Sequence, residues 1–168
     1  MPKIIENLRE KLVLEARHQV EELGYGALTI RSVAAACGVG VGTVYNYFSS
    51  KDALVAAFML EDWQQCTAAI DSTAQQSETA APVLRCAHQQ LLEFIQRQQA
   101  IFSDEAAVAG FSGSPSPYHS MLRSQLARPL LKFVPDDFTA EFIAEALLTW
   151  TVAGRGIEDI LPLFEKLL

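Results

Sequence analysis

Apolar residues recur every three to four positions along most of this chain, which is the spacing of one face of an α-helix. The first series predicts a helix that ends at Gly24, because glycine commonly terminates helices. Its apolar positions are Ile4, Leu8, Leu12, Ala16, Val20 and Leu23. No segment of useful length alternates with the period of two that is typical of a β-strand. The pattern therefore predicts an all-α protein.

Two short helices are predicted next. Thr29 can cap a second helix that ends at Gly38, and a third helix is expected from about Gly40 to Tyr47. Two short helices joined by a tight, glycine-containing turn have the size of a helix-turn-helix, whose second helix can enter the major groove of DNA.

A fourth and a fifth helix follow. Ser49 stands three residues before Asp52, which resembles a capping box and predicts a helix start. The apolar series of that helix is Val55, Met59, Trp63, Cys66 and Ile70. Residues 71–81 are small and polar and predict a loop, after which Pro82 suits the first position of the fifth helix. The buried face expected for the fifth helix is Leu84, Ala87, Leu91, Ile95, Gln98 and Phe102.

The remaining sequence predicts a loop and three more helices. Residues 110–120, GFSGSPSPYHS, are rich in turn formers and predict the loop. Helical spacing returns over residues 121–133, where Pro129 predicts a kink. The last two helices are expected over residues 136–154 and 157–168.

Composition agrees with a folded protein. Of the 168 residues, 50% are apolar and 20% are charged, with 9 glycines and 7 prolines, so we expect a globular chain. No positively charged segment followed by an apolar one opens the sequence, so we expect no secretion signal, and the uncharged residues 32–50 hold too many glycines and polar side chains for a membrane span. We therefore expect a cytoplasmic protein with no membrane partner.

The residues that most often carry chemistry are scattered. They are Cys37, Cys66, Cys86, His18, His88 and His119. None of these forms a close pair or has metal-ligand spacing, so buried free thiols are expected and neither a metal nor a cofactor is. No nucleophile with a neighbouring base, paired carboxylate motif or phosphate loop is present either, so an enzyme is not expected.

The third predicted helix is suited to reading DNA. Residues 40–43 have little bulk, so their backbone N–H groups can approach a phosphate or the groove floor. Asn46 can bind adenine through two hydrogen bonds, and the methyl groups of Val41 can touch a thymine methyl. The hydroxyl groups of Tyr45, Tyr47 and the threonines can donate to phosphates.

Residues 28–54, LTIRSVAAACGVGVGTVYNYFSSKDAL, resemble the DNA-binding domain of the TetR family of bacterial repressors. The likeness lies in the threonine-led second helix, the Gly-Val turn, the aromatic third helix and the Ser-Lys-acid entry to helix four. The resemblance implies a homodimer in which residues 1–52 bind a double-stranded DNA operator. It also implies that residues 53–168 form a larger helical domain that binds a small-molecule effector and dimerises.

The resemblance implies roles for individual residues. Thr29 and Arg31 correspond to phosphate contacts, and Tyr47 and Lys51 to residues that hold the DNA backbone. The groove-facing positions are Val41, Thr43, Tyr45 and Asn46. Phe48 corresponds to a core residue.

Charge and one departure from the family pattern suggest modest operator affinity. Many relatives have a polar pair such as Ser-Lys where this chain has Gly40 and Val41. Residues 1–52 hold six Lys or Arg and six Asp or Glu, whereas residues 53–168 hold seven and fourteen, giving the net charge of −7. With about two to four neutralised phosphates per subunit, a dimer would show a log–log salt slope of roughly −4 to −7.

The C-terminal domain offers two further predictions. Apolar and aromatic residues can line a cavity between helices, which would suit an apolar or aromatic effector. These candidates are Trp63, His88, Phe94, Phe102, Phe111, Tyr118 and Trp150. The last two helices carry enough apolar surface to form a four-helix bundle with a twofold copy. The candidate interface residues are Phe138, Phe142, Leu147, Trp150, Ile160, Leu161 and Phe164.

Alternatives to these interpretations stay open at this point. A helical protein-interaction module that has lost DNA binding would share the same pattern. The three short helices would also suit a plain packing module, in which Tyr45, Tyr47 and Phe48 would all be core aromatics. Arg31 and Lys51 would then be ordinary solvated charges. The family resemblance favours DNA binding, and it favours repression over activation.

Overall fold

A computed structural model describes residues 7–104 and 117–168. Within these ranges the regular structure is helical and contains no strand, which confirms the predicted all-α class. The helices are α1 Leu8–Leu23, α2 Ile30–Ala36, α3 Val41–Tyr45, α4 Lys51–Gln76, α5 Ala80–Arg97, α6 Gln99–Phe102, α7 Pro117–Ala127, α8 Asp137–Val152 and α9 Ile157–Phe164. Ile4, the first position of the predicted α1 face, lies outside the described residues.

The chain forms two compact units. The first comprises the described residues of Met1–Asp62 and Gln98–Gly110, and the second those of Trp63–Arg97 and Phe111–Leu168. The first unit thus extends beyond residue 52 and includes a segment after α5. The functional division into residues 1–52 and 53–168 stays a prediction.

In the first unit, α1 packs against α2 and α6, and α2 packs against α3 as a helix-turn-helix. Its core includes Leu12, Val13, Ala16, Val33, Val44, Leu54 and Phe58. The predicted cap of α2 is confirmed: Thr29 Oγ1 accepts from Ser32 N at 2.9 Å, and Thr29 N donates to Ser32 Oγ at 3.2 Å. After α2, Gly38 has a φ of +67°, in the left-handed region that favours glycine.

The second unit contains α5, α7, α8 and α9. Helix α5 contacts both α8 and α9, and α7 packs along α8. The core between them includes Val83, Leu84, Leu91, Leu126, Leu130, Ile143 and Leu147. Helix α8 begins as predicted, because Asp136 Oδ1 accepts a hydrogen bond from Thr139 N at 2.7 Å.

Two predictions about α4 are wrong. The residue that caps its start is Ser50, whose Oγ accepts from Ala53 N at 3.1 Å, and not Ser49. The helix also continues to Gln76, so residues 71–76 are not part of a loop. The apolar face is extended by Ala74, which is buried one turn after Ile70, while the polar residues between them lie on the other faces.

The predicted α5 differs at both ends. It begins at Ala80 rather than Pro82 and ends at Arg97, where Gln98 has φ −93° and ψ 9°. The helical face is therefore not continued into α6. Phe102 is 41% exposed and belongs to the first unit, so its predicted place on the buried face of α5 is wrong.

The C-terminal boundaries also need correction. Helix α7 begins at Pro117, so residues 117–120 of the predicted loop are helical, and residues 110–116 lie outside the described residues. Pro129 does not kink a longer helix but lies in the 3₁₀ turn Arg128–Leu130 that follows α7. Proline lacks the N–H group that a continuing helix needs. Helix α9 ends at Phe164 and not at Leu168.

Candidate nucleic-acid interface

Helix α3 is held to the first unit by two apolar side chains and presents its other residues to solvent. Val44 is fully buried and Phe48 is 5% exposed, which confirms that Phe48 is a core residue. By contrast, Tyr45 is 54% exposed and Tyr47 is 48% exposed. The alternative in which both tyrosines are core aromatics is therefore wrong.

The observed α3 is shorter than predicted. It ends at Tyr45, and Asn46 follows as the C-cap with φ −69° and ψ −20°, so its backbone stays close to helical. Val41 and Asn46 are exposed, and Thr43 is partly exposed. The four groove-facing residues implied by the family resemblance thus all have solvent-accessible side chains.

The start of α3 leaves space for another molecule to approach. Gly40 is the N-cap and supplies no side-chain cap. A Cβ added at Gly42 would meet no heavy atom within 4 Å, so internal packing does not require a glycine there. Its small size is instead useful if an external backbone lies against this surface.

Helix α2 carries Thr29 and Arg31, and both are exposed. The start of the helix is fixed to α1 by Gln19, a residue that the sequence analysis did not single out. Ser32 Oγ donates to Gln19 Oε1 at 2.6 Å, and Gln19 Nε2 donates to Glu15 Oε1 at 2.7 Å. Thr29 therefore caps α2, and the first turn of α2 is held against α1 through Ser32 and Gln19.

Lys51 is held by Tyr25, which the sequence analysis also missed. The Lys51 ammonium donates to the Tyr25 carbonyl oxygen at 3.3 Å and lies 4.0 Å from the centre of the Tyr25 ring. The Tyr25 hydroxyl donates to the carboxylate of Asp52. Tyr25 itself is only 5% exposed, and burial together with the Asp52 hydrogen bond raises its pKa to about 12.

Two other cations of the first unit, Arg9 and Arg17, are engaged with its own acidic residues. Arg17 Nη1 lies 2.7 Å from Asp62 Oδ2, and Gln98 Nε2 donates to the same oxygen at 2.5 Å. Arg9 lies 4.0 Å from a carboxylate oxygen of Glu61. The Arg9 and Arg17 contacts connect α1 with α4.

The described candidate effector residues differ in their exposure and contacts. Trp63 and Phe94 pack edge to face with their ring centres 5.3 Å apart, and His88 Nε2 lies 2.9 Å from the Arg155 carbonyl oxygen. All three are buried, whereas Trp150 is 45% exposed. Phe102 belongs to the first unit and is 41% exposed. Phe111 and the side chain of Tyr118 lie outside the described part of the chain.

One shallow depression of about 510 Å³ lies on the first unit. It is lined by Lys11, Leu14, Glu15, His18, Ala36 and Cys37. None of the predicted effector residues contributes to it. The structure therefore adds no support for an effector cavity built from the predicted set.

The candidate dimer residues divide into two groups. Phe138, Phe142 and Trp150 on α8 are exposed by 78%, 53% and 45%. The remaining four are buried inside their own subunit, and they are Leu147, Ile160, Leu161 and Phe164. Their predicted place at an exposed surface is wrong. On an α-helix Leu147 is nine residues, about half a turn in angle, away from Phe138, so the two lie on opposite faces.

Within residues 7–104 and 117–168, no helix has the length and apolar character needed to cross a membrane. In the same part of the chain, no group of three or more Cys, His, Asp or Glu residues is placed to hold a metal ion. Cys37, Cys66 and Cys86 are free thiols, but only Cys66 is buried, so the predicted burial is wrong for the other two, which are partly exposed.

Comparisons with known proteins point to one family. A family model described as "Bacterial regulatory proteins, tetR family" matches residues 12–58. The transcriptional regulator UidR of Escherichia coli K12 is 30% identical over 60 residues, which cover 36% of this chain and 31% of UidR. The transcriptional repressor Rv1474c of Mycobacterium tuberculosis is 35% identical over 72 residues, which cover 40% of this chain and 38% of that protein. The match thus spans less than half the length of these curated relatives.

A solved structure extends the likeness to the whole fold. The TetR family repressor AlkX from Dietzia sp. aligns with a TM-score of 0.68 and 16% identity, covering 94% of this chain and 98% of AlkX. At that identity the likeness concerns the fold. The relatives are transcriptional regulators rather than enzymes.

Proposed function

This chain belongs to the TetR family of bacterial regulatory proteins, and on that premise we propose that it binds a DNA operator as a homodimer and represses transcription. The observation that carries the proposal concerns α3 together with the three residues after it, 46–48, which divide into a buried side and an exposed side. Val44 and Phe48 anchor the helix, while Tyr45, Asn46 and Tyr47 are exposed. A helix with polar, uncharged side chains on its free side is suited to reading bases in the major groove.

The contacts divide into two kinds. Val41, Thr43, Tyr45 and Asn46 read base edges, since they lie on or directly after the second helix of the helix-turn-helix. The DNA backbone is contacted from both sides of that helix, by Thr29, Arg31, Tyr47 and Lys51. Backbone contacts fix the register of the protein on the duplex but carry little sequence information.

The homodimer is supported by α8. Phe138 and Phe142 are one turn apart, and together with Trp150 they expose large apolar side chains on one helix. Exposed aromatic side chains so close together are typical of an interface. A second copy of α8 and α9 would complete a four-helix bundle in which the exposed aromatic side chains of α8 make the contact, and two DNA-reading helices would then bind a palindromic site.

The effector is a small molecule that lowers operator affinity. We assign it to the helical second unit and expect an apolar or aromatic compound, because that unit buries the aromatic pair of Trp63 and Phe94. Addition of candidate compounds to the protein–operator complex tests this part directly. Release of DNA by charged metabolites alone would contradict it.

The test of operator binding compares two duplexes of equal length by fluorescence anisotropy over a salt series. One duplex carries the DNA that flanks the protein's own gene, and the other is a scrambled sequence. We expect tighter binding to the flanking DNA, with a log–log salt slope of roughly −4 to −7. If the protein binds both duplexes weakly and equally, the second experiment selects the DNA fragments that it binds from the whole genome. The absence of any preferred fragment would contradict the proposal.

A further inference from the structure

Tyr25 fixes the position of a side chain that belongs to the proposed DNA-contacting surface. It lies in the 3₁₀ turn Tyr25–Ala27 between α1 and α2, whereas Lys51 is the first residue of α4. The Lys51 ammonium bonds the Tyr25 carbonyl oxygen at 3.3 Å and lies 4.0 Å from the centre of the ring. An ammonium group has three N–H donors, so two remain for a phosphate when one is used by the carbonyl.

The same tyrosine controls the neighbouring negative charge. Asp52 follows Lys51 directly, and its side chain is exposed. A carboxylate at this position repels any phosphate that approaches Lys51. The Tyr25 hydroxyl donates a hydrogen bond to Asp52 and so holds the carboxylate in one place. The hydroxyl is protonated at neutral pH, since the pKa of a tyrosine is far above 7, and it can therefore donate this bond.

Tyr25 is poorly placed to contact DNA itself. Only 5% of its surface is exposed, and the carbonyl, ring and hydroxyl are all used inside the protein. The turn that carries it is also packed closely, because a Cβ at Gly26 would lie 3.3 Å from Asp104 Oδ2. We therefore expect Tyr25 to affect DNA binding through Lys51 and Asp52 rather than by direct contact.

We propose that Tyr25 is a positioning residue for the DNA-backbone contact: it orders the Lys51 ammonium toward the phosphate and keeps the Asp52 carboxylate away from it. This inference rests on the proposed function. Lysine has a flexible stem, and ordering it before binding lowers the entropy that is lost when the phosphate is bound. Binding one carboxylate oxygen through the phenol reduces the repulsion that the carboxylate would otherwise add.

The test uses Tyr25→Phe, which keeps the ring and the carbonyl and removes only the hydroxyl. Operator affinity is measured by anisotropy for this variant, for Asp52→Asn, for Lys51→Gln and for the pairwise combinations with Tyr25→Phe. We expect Tyr25→Phe to weaken operator binding by about three- to tenfold at low salt, which is the range for exposed charges acting in two subunits. Adding Asp52→Asn to Tyr25→Phe should restore the affinity.

Lys51→Gln supplies the second readout. Removal of one phosphate contact per subunit should reduce the salt slope of the dimer by about 2. In the Lys51→Gln background, Tyr25→Phe should cause no further loss of affinity. Thermal unfolding of every variant establishes that each one is folded, and phenylalanine has nearly the size of tyrosine.

Three results would overturn the inference. The first is an operator affinity that is unchanged in Tyr25→Phe. The second is a loss of affinity from Tyr25→Phe that is as large in the Lys51→Gln background as in the wild type. The third is a failure of Asp52→Asn to restore the affinity of Tyr25→Phe. In each of these cases the wild-type protein still prefers its operator, so the proposed function stands. If the wild-type protein shows no such preference, the proposed function fails, and this inference fails with it.

Discussion

Arg17 and Asp62 join the first helix of the DNA-binding unit to α4 through a largely buried ion pair. The Arg17 Nη1 and Asp62 Oδ2 atoms are 2.7 Å apart, and the Asp62 side chain is 5% exposed. Arg17 Nη2 also donates to the Phe58 carbonyl oxygen at 3.3 Å, and Gln98 donates to the same carboxylate. The Asp62 charge is thus balanced by partners from two other segments of the chain.

Substitution Arg17→Met should destabilise the protein strongly, because it leaves the Asp62 carboxylate buried with only the Gln98 amide. Removal of one partner from a buried pair typically costs about 3–5 kcal/mol, and the partial exposure of Arg17 lowers our expectation to about 2–4 kcal/mol. Urea unfolding measures the loss. The control is Arg97→Met, which breaks an exposed pair with Glu93 and should cost less than about 0.5 kcal/mol. Equal losses in the two variants would contradict this account.

The cap of α2 should contribute measurably to stability. Thr29→Ala removes the acceptor for the Ser32 N–H, and we expect a loss of about 0.5–2 kcal/mol in the free energy of unfolding. Thr29→Ser keeps the hydroxyl and should restore most of it. Thermal unfolding of the three proteins checks this prediction. A serine variant that is as unstable as the alanine variant would show that the hydroxyl is not what matters.

Stability should fall at high pH because of Tyr25. The pKa of Tyr25 is about 12 in the folded protein, compared with 10.0 for the free side chain. The folded state therefore holds this proton more tightly, so the contribution is complete below about pH 10 and is lost as the pH rises toward about 12. Urea unfolding midpoints at about pH 9 and pH 11 should decline more steeply in the wild type than in Tyr25→Phe. Parallel declines would mean that Tyr25 is not the group responsible.

The exposed aromatic residues of α8 should control assembly. Replacing both Phe138 and Phe142 by glutamate places charges at the proposed interface and should weaken dimerisation by more than about tenfold. Sedimentation velocity measures the change. The matched control is Leu14→Glu, which places a charge on α1 at a residue that is 64% exposed and should leave dimerisation unchanged. A wild-type protein that is already monomeric at micromolar concentration would refute the dimer.

Features determined by local sequence were predictable, and those determined by contacts between distant residues were not. The spacing of apolar residues predicted α1, α5 and α8, and the cap Thr29 was confirmed. Two adjacent serines made the start of α4 ambiguous, and Ser50 was the residue used. Local spacing also did not show that the chain breaks at Gln98, because Gln98 turns inward to bind Asp62, 36 positions earlier.

The same distinction applies to the candidate interface. Val41, Tyr45, Asn46 and Tyr47 could be selected from a short segment, and their exposure fits the proposed role. Tyr25 could not, because its importance depends on Lys51 and Asp52, which lie 26 and 27 positions later. An aromatic residue in a loop gives no local sign that it holds a distant lysine.

The central claim is that the free side of α3 reads DNA bases. The most direct measurement is the ratio of affinities for operator and scrambled duplexes in the wild type and in Asn46→Ala. We predict that the ratio falls by about 5- to 150-fold, which corresponds to the 1–3 kcal/mol of a two-bond base contact, while binding to scrambled DNA stays the same. Unchanged discrimination in a folded Asn46→Ala protein, followed by unchanged discrimination in Tyr45→Ala, would contradict the claim.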